Sequence, residues 1–255
     1  MIHYILSLNS NLTPAYLALF LFLAMVMGMT KAGLTGLSLS VIPVMALIFG
    51  AKESTGVVLP ILIAADIMAV IYYHKNAVWK HILNILPWVA AGIVIALFTG
   101  NMISNSQFRV VMISIVWVML ILMVINDLRK KEESHVPESW LFGAFMGLAG
   151  GFATMMGNSA GPVFALYFLS RKLPKKEFIG TGAWLYLIMN VGKLPLQAMV
   201  WKNISMNSII LDLIAVPFIA LGIVAGIYIV KLFPEKAYRY FVIITTIASS
   251  ILLLI

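Results

Sequence analysis

The chain contains no cysteine, and only four histidines are scattered among its 255 residues. The first absence excludes disulfides, a thiol nucleophile and iron–sulfur ligation, and the second argues against a buried metal cage, so no metal and no cofactor are expected. Charge is scarce as well. Only 10% of the residues are Asp, Glu, Lys or Arg, against about 25% in an ordinary soluble domain. Nine acidic residues face 17 basic ones, for a formal net charge of +8. In so apolar a chain, lysine and arginine serve membrane topology and anionic headgroups, and nucleic acid is not the expected partner. No G-x-x-x-x-G-K-[ST] stretch occurs, which speaks against direct ATP drive. Residues 1–11 carry neither a positive n-region nor an A-x-A site, so no removable signal peptide is expected. What the chain has in abundance is apolar surface: 62% of the residues are hydrophobic and the mean hydropathy is +1.04. These values define an all-α integral membrane protein of the cell membrane, with the lipid bilayer as its solvent.

Apolar stretches fall at 13–29, 33–50, 55–74, 82–100, 108–126, 139–156, 158–170, 178–200, 208–230 and 238–255. The one strongly polar run, DLRKKEESHVPE at 127–138, divides these ten segments into a first membrane repeat, 1–126, and a second, 139–255. Alternate loops then collect very different charge. The loops around Lys75–Lys80, Arg129–Lys131, Arg171–Lys176 and Lys231–Arg239 hold most of the basic residues, while the opposite side has Lys52, Arg109 and Lys202. The positive-inside rule makes the first side cytoplasmic, which puts the 127–138 linker inside and both termini outside. Two halves with odd numbers of crossings must run in opposite directions.

The sequence itself repeats. A shift of about 124 residues sets Thr30, Gly33, Thr35 and Gly36 on Thr154, Gly157, Ser159 and Ala160, and also Gly56 on Gly180 and Asp66 on Asn190. Slightly larger shifts set Lys75-Asn76 on Lys202-Asn203, and Pro87 and Gly92 on Pro217 and Gly222. Anchors in the same order with two small gaps indicate duplication. Inverted repeats are a common architecture of secondary transporters, whose substrates bind near the midplane at broken helices. Segment 158–170 is about 20 Å long as a helix, too short to cross. Its mate follows the Gly33-Leu34-Thr35-Gly36 break, so segments 1–2 and 6–7 are expected to be re-entrant helical hairpins.

The two hairpin tips supply the candidate chemistry. Small residues allow close backbone approach, Pro162 fits the first turn of a helix, and free N–H groups beside Asn158 and Ser159 suit an anion. For Gly143, Gly147, Gly222 and Gly226, tight helix packing is the expected role. Charges inside the segments cost at least about 2.5–3.5 kcal/mol each, so they should have partners or work. These are Lys31 at the first tip, Asp66 and Lys193. Two lysines near the midplane would draw in an anion, and Asp66 could carry a proton; a structural Asp66 to Lys193 ion pair is the plainer alternative. Asp212 and Arg109 are expected to reach the interface, and Trp79, Trp88, Trp140 and Trp201 to anchor there. Gly157 to Gly161 also matches the G-x-S-x-G nucleophile elbow, but the histidines all fall in the tail or in loops at segment ends and no strand precedes the motif. A membrane serine hydrolase is therefore the lesser alternative.

The stretches G-M-T-K-A-G-L-T-G at 28–36, G-N-S-A-G-P at 157–162 and N-V-G-K-L-P at 190–195, set in two duplicated halves, resemble the sulfite exporter TauE/SafE family. The resemblance implies a non-enzymatic transporter of small sulfur-containing anions such as sulfite, thiosulfate or organosulfonates, driven by an ion gradient of protons or sodium. It marks Lys31, Thr35, Asn158, Ser159, Asn190 and Lys193 as candidate substrate-binding residues; Asp66, the carboxylate far from any segment end, is on that separate ground the candidate proton-coupling residue. A passive anion channel is the main rival.

Overall fold

The computed structural model describes residues 12–34, 37–104 and 140–232, with isolated positions between 106 and 114 and between 234 and 244. Every regular element among them is helical, as lipid demands, because a helix satisfies its own backbone polar groups. The long helices are α1 (Pro14–Lys31), α2 (Ser38–Phe49), α3 (Ala51–Tyr73), α4 (Trp79–Met102), α5 (Trp140–Gly157), α6 (Gly161–Ser170), α7 (Lys175–Pro195) and α8 (Met206–Leu232). A 3₁₀ turn at His74–Asn76 leads from α3 to α4, and a π-helical turn at Leu196–Trp201 extends α7. Segments 108–126 and 238–255, Arg109 and the 127–138 linker lie outside the described residues.

Among the described residues, five helices are long and apolar enough to cross a membrane: α1, α3 with its extension, α4, α5 and α8. The span expected at 178–200 is absent from this set; α7 opens on Lys175, Lys176 and Glu177 and carries Asn190 and Lys193 further along. By contrast α2, with 12 residues, and α6, with 10, are only about 18 and 15 Å long. Each folds back on its predecessor. The rings of Phe20 on α1 and Phe49 at the end of α2 meet at 5.7 Å, and Gly150 on α5 faces the ring of Phe164 on α6.

Local sequence makes both reversals. At the end of α1, Gly33 takes φ +126°, while its N–H donates to Thr30 O (3.2 Å) and that of Leu34 to Met29 O (3.3 Å). This pair of bonds is a Schellman turn, which favours glycine at that position. At the end of α5 the left-handed residue is Asn158, φ +55°, a residue type that tolerates the region.

The eight helices pack in matching fashion from the two halves. α1 lies parallel to α8, with Gly28 against Ile219 and Ile223, Gly222 against the Met25 carbonyl, and Gly226 against Met29 and Ala32. α4 lies parallel to α5, with Gly92 against Leu148 and Phe152, Gly147 against Ile85 and Trp88, and Gly151 against the Val89 carbonyl. At each of these glycines an added methyl would strike a neighbouring helix, so close packing explains Gly147, Gly222 and Gly226 as expected. Gly143 differs, because a methyl there would meet the Arg171 and Tyr167 side chains at an ordinary 3.7 Å. Between these two pairs, α3 and α7 run antiparallel through the centre.

Two interfacial assignments are corrected. Trp201 is buried, donates from Nε1 to Leu97 O at 3.3 Å and packs on Gly100, whereas Trp79 and Trp140 are exposed as anchors should be. Asp212 sits in the second turn of α8 at 4% exposure, on the face that carries Leu211 and Ala215, with no hydrogen-bond partner for either carboxylate oxygen. An unsatisfied buried polar group costs about 1–3 kcal/mol. Asp212→Leu is therefore expected to stabilise the protein by that order, read as a higher melting temperature in detergent; a lower one would show that the carboxyl holds the fold together.

Candidate functional site

Both hairpin tips come together against α3 and α7 around a cavity of about 30 Å³. Its walls are Thr30, Lys31 and Ser38 from the first hairpin, Thr154, Asn158, Ala160 and Gly161 from the second, Leu62 from α3, and Tyr186 and Asn190 from α7. Thr30 and Thr154 are mates in the sequence repeat, and so are Leu62 and Tyr186, at the same spacing. The cavity has room for about two waters. An oxoanion would need some of these side chains to swing aside.

The charges form two separate clusters. Asp66, fully buried, takes an ion pair from Lys31 Nζ to Oδ1 at 2.9 Å and a hydrogen bond from Asn190 Nδ2 to Oδ2 at 2.6 Å. Asp66 and Asn190 stand 124 residues apart, at positions that the sequence shift superposes, and they touch. The Lys31 ammonium also lies 4.2 Å from the centroid of the Tyr186 ring, a cation–π contact that offsets part of its desolvation. Lys31 lines the cavity with its side chain 10% exposed.

Lys193 belongs to the other cluster. Its Nζ donates to Thr154 O (3.0 Å), Thr154 Oγ1 (2.9 Å) and Asn158 Oδ1 (2.7 Å), which uses all three ammonium protons. A cation placed on carbonyls of the last turn of α5 also opposes the negative end of that helix dipole. The plainer sequence alternative is thus corrected: the partner of Asp66 is Lys31, and Lys193 staples α7 to the second tip. Nor do the two lysines converge as free charges.

Asn158 is the hub of that tip. Its Oδ1 accepts from Lys193 while its Nδ2 donates to Thr55 O at 3.1 Å, joining the tip to α7 and α3 at once. Ser159 has a different role from the one its motif suggested. Its Oγ donates to Ala153 O at 3.1 Å and it is fully buried, so its hydroxyl secures the turn and leaves no exposed nucleophile. Facing the cavity beside it is the start of α6, at Ala160 and Gly161, where the first N–H groups of a helix have no intrahelical acceptor. Thr35 lies outside the described residues.

Of the sequence candidates, Lys31, Asn158 and Asn190 line the cavity, Asp66 and Lys193 stand directly behind it, and Ser159 supports it. Thr154 and Tyr186 were missed. Thr154 was legible as one of the repeat anchors, but a threonine in an apolar helix did not announce the lysine it would hold. Tyr186 gave no signal at all, because its mate is the aliphatic Leu62.

A multi-pass helical protein with a buried polar cluster where two broken hairpins meet has the build of a membrane transporter. The family model of the Sulfite exporter TauE/SafE family matches residues 20–253, and the chain belongs to that family. It is accordingly a multi-pass membrane transport protein of a family of sulfite exporters. Comparisons with curated proteins and with solved structures gave no match.

Proposed function

We propose that the protein is a secondary transporter that carries a small sulfur-containing anion, such as sulfite, thiosulfate or an organosulfonate, through the cavity between the hairpin tips, with proton coupling at Asp66. The observation that carries this reading is the cavity itself, where one lysine ammonium, two asparagine amides and the start of a helix converge. Lys31 is the cation the anion meets. In the absence of anion, Lys31 is neutralised by Asp66; a proton on Asp66 releases the ammonium for the anion, so anion and proton load together. Asn158, Asn190 and the N–H groups at Ala160 and Gly161 supply donors. Thr35, as the mate of Ser159 at the first tip, is kept as a further candidate, while Lys193 and Ser159 hold the second tip in shape.

The architecture that goes with this function is two inverted five-segment repeats, with α1–α2 and α5–α6 as re-entrant hairpins. Three observations favour it. Mates Asp66 and Asn190 touch each other, mates α3 and α7 run antiparallel, and α1 packs on α8 as α5 packs on α4. The lengths of α2 and α6 suit half-crossings. The lysine and arginine asymmetry puts Lys202 and both termini on the outer side.

Purified protein in liposomes tests the whole reading. Saturable uptake of labelled thiosulfate or sulfonate, accelerated by an imposed proton gradient, is expected. Flux that neither saturates nor responds to the gradient would mean an anion channel, and acceleration by sodium alone would replace the coupling ion.

A further inference from the structure

Between the central cavity and the Lys202 side lies a second, larger cavity of about 250 Å³, lined by Glu53 and Val57 of α3, by Lys202, Asn203 and Ser205 of the turn before α8, and by Ser208 of α8 among others. One polar layer separates the two. Asn203, on the wall of the larger cavity, donates from Nδ2 to Thr55 Oγ1 (2.9 Å) and to Lys52 O (3.1 Å). The carbonyl of the same Thr55 accepts from Asn158 Nδ2, which lines the central cavity. Asn203, Thr55 and Asn158 therefore form a continuous chain from one cavity to the other. Next to Thr55, Gly56 presses on Asn203 so closely that an added methyl would collide with the Asn203 carbonyl.

The same pair recurs at the far end of α3. Asn76 and Gly180 are the repeat mates of Asn203 and Gly56, and a methyl at Gly180 would lie 2.9 Å from Asn76 Cβ and from Tyr73 O. Beside them Val78 N donates to the buried Thr181 Oγ1 at 2.9 Å. On that side, past Lys31 and Tyr186, lies a space of about 20 Å³ bounded by Phe168 and Phe178. One glycine and asparagine contact thus recurs at the two ends of α3, polar in its surroundings at one end and beside aromatic rings at the other.

We infer that the Gly56–Asn203 and Gly180–Asn76 contacts are the two gates of the permeation path, the bonds of Asn203 latching the outer one and the bond from Val78 N to Thr181 Oγ1 the inner. Asn203 and Thr181 are positioning residues: they act on access to the site and do not bind the anion. A small anion waits in the outer cavity beside Lys202 and enters when the bonds of Asn203 to Thr55 and Lys52 break. Two such bonds hold the latch, and losing them should raise the open population about 10-fold. A methyl at either glycine acts as a wedge on its own gate alone. This inference rests on the transport reading but is tested without any anion.

The cysteine-free chain makes the test direct. Ala160→Cys puts a thiol on the wall of the central cavity, and its labelling by a membrane-impermeant thiol reagent is timed from each side in oriented vesicles. Asn203→Ala and Gly56→Ala are expected to speed labelling about 10-fold from the Lys202 side only, and Gly180→Ala and Thr181→Val, the latter removing the bond from Val78 N, from the opposite side only. Thr55→Val, which removes one of the two latch acceptors and keeps the side-chain shape, should speed labelling from the same side by a smaller factor, and serves if the glycine variants fold poorly. Unchanged rates in Asn203→Ala and Thr55→Val, or acceleration from the same side by variants of both ends, overturns the gates. If the rates shift as stated but no sulfur anion binds or moves, the gates stand and the substrate assignment falls; anion transport with unresponsive rates does the reverse.

Discussion

Lys31→Met is expected to reduce anion affinity by about 10- to 100-fold, the loss of one charge-assisted contact of roughly 1.5–3 kcal/mol. The reason lies in how differently the two buried lysines are committed. Lys31 stands at the cavity wall in a two-body ion pair that an anion can enter as a competitor. Lys193 makes three hydrogen bonds to the end of α5 and its turn, and is fully buried. Lys193→Met should therefore act chiefly on the fold. It strands Thr154 Oγ1 and Asn158 Oδ1 and frees the second tip, and its melting temperature should fall well below that of Lys31→Met. Titrating thiosulfate against both purified variants, with melting curves alongside, separates the roles. If Lys31→Met binds like the parent protein, Lys31 is not the anion's cation; if Lys193→Met melts like the parent, the stapling role is wrong.

That contrast also marks how far the sequence could be read. The membrane class followed from composition, and the chain reversal after α1 from Gly33, because backbone geometry at such points is dictated by residue type. Thr30 and Thr154, which the 124-residue shift superposes in the sequence, line one cavity. Pairing was not legible. Asp66 and Lys193 looked like partners because both interrupt apolar runs, but which cation reaches a buried carboxylate depends on helix rotation, and a sequence carries only spacing along each helix. Asn190 on α7 faces α3 at the level of Asp66, and Lys193, about 100° per residue further round, faces the end of α5. Asp212 and Trp201 were misread for a related reason: closeness to a segment end does not say whether a side chain points to lipid or to a neighbouring helix.

Asp66→Asn is expected to abolish the response of transport to a proton gradient while leaving the protein folded. Asn already occupies the repeat-equivalent position at Asn190, and an amide at residue 66 can accept from Asn190 Nδ2 as the carboxylate does. What it cannot do is hold Lys31 as a counter-charge. The ammonium should then be available to the anion at every pH, so affinity for an anion of fixed charge, such as a sulfonate, should be high and flat. In the parent protein affinity should instead rise as pH falls, because each proton added to Asp66 removes the competitor for Lys31. The sign follows from charge balance: proton uptake by the site favours the anion, and anion binding favours proton uptake by the same factor. Combining the substitution with Lys31→Met should cancel the gain, since the cation it releases is gone. Sulfonate binding measured at several pH values on Asp66→Asn, and flux with and without a gradient in the same liposomes, decide the matter. A variant that keeps the parent's pH profile removes Asp66 from coupling, and one that loses its fold or melts far lower assigns the Lys31–Asp66–Asn190 cluster to structure alone.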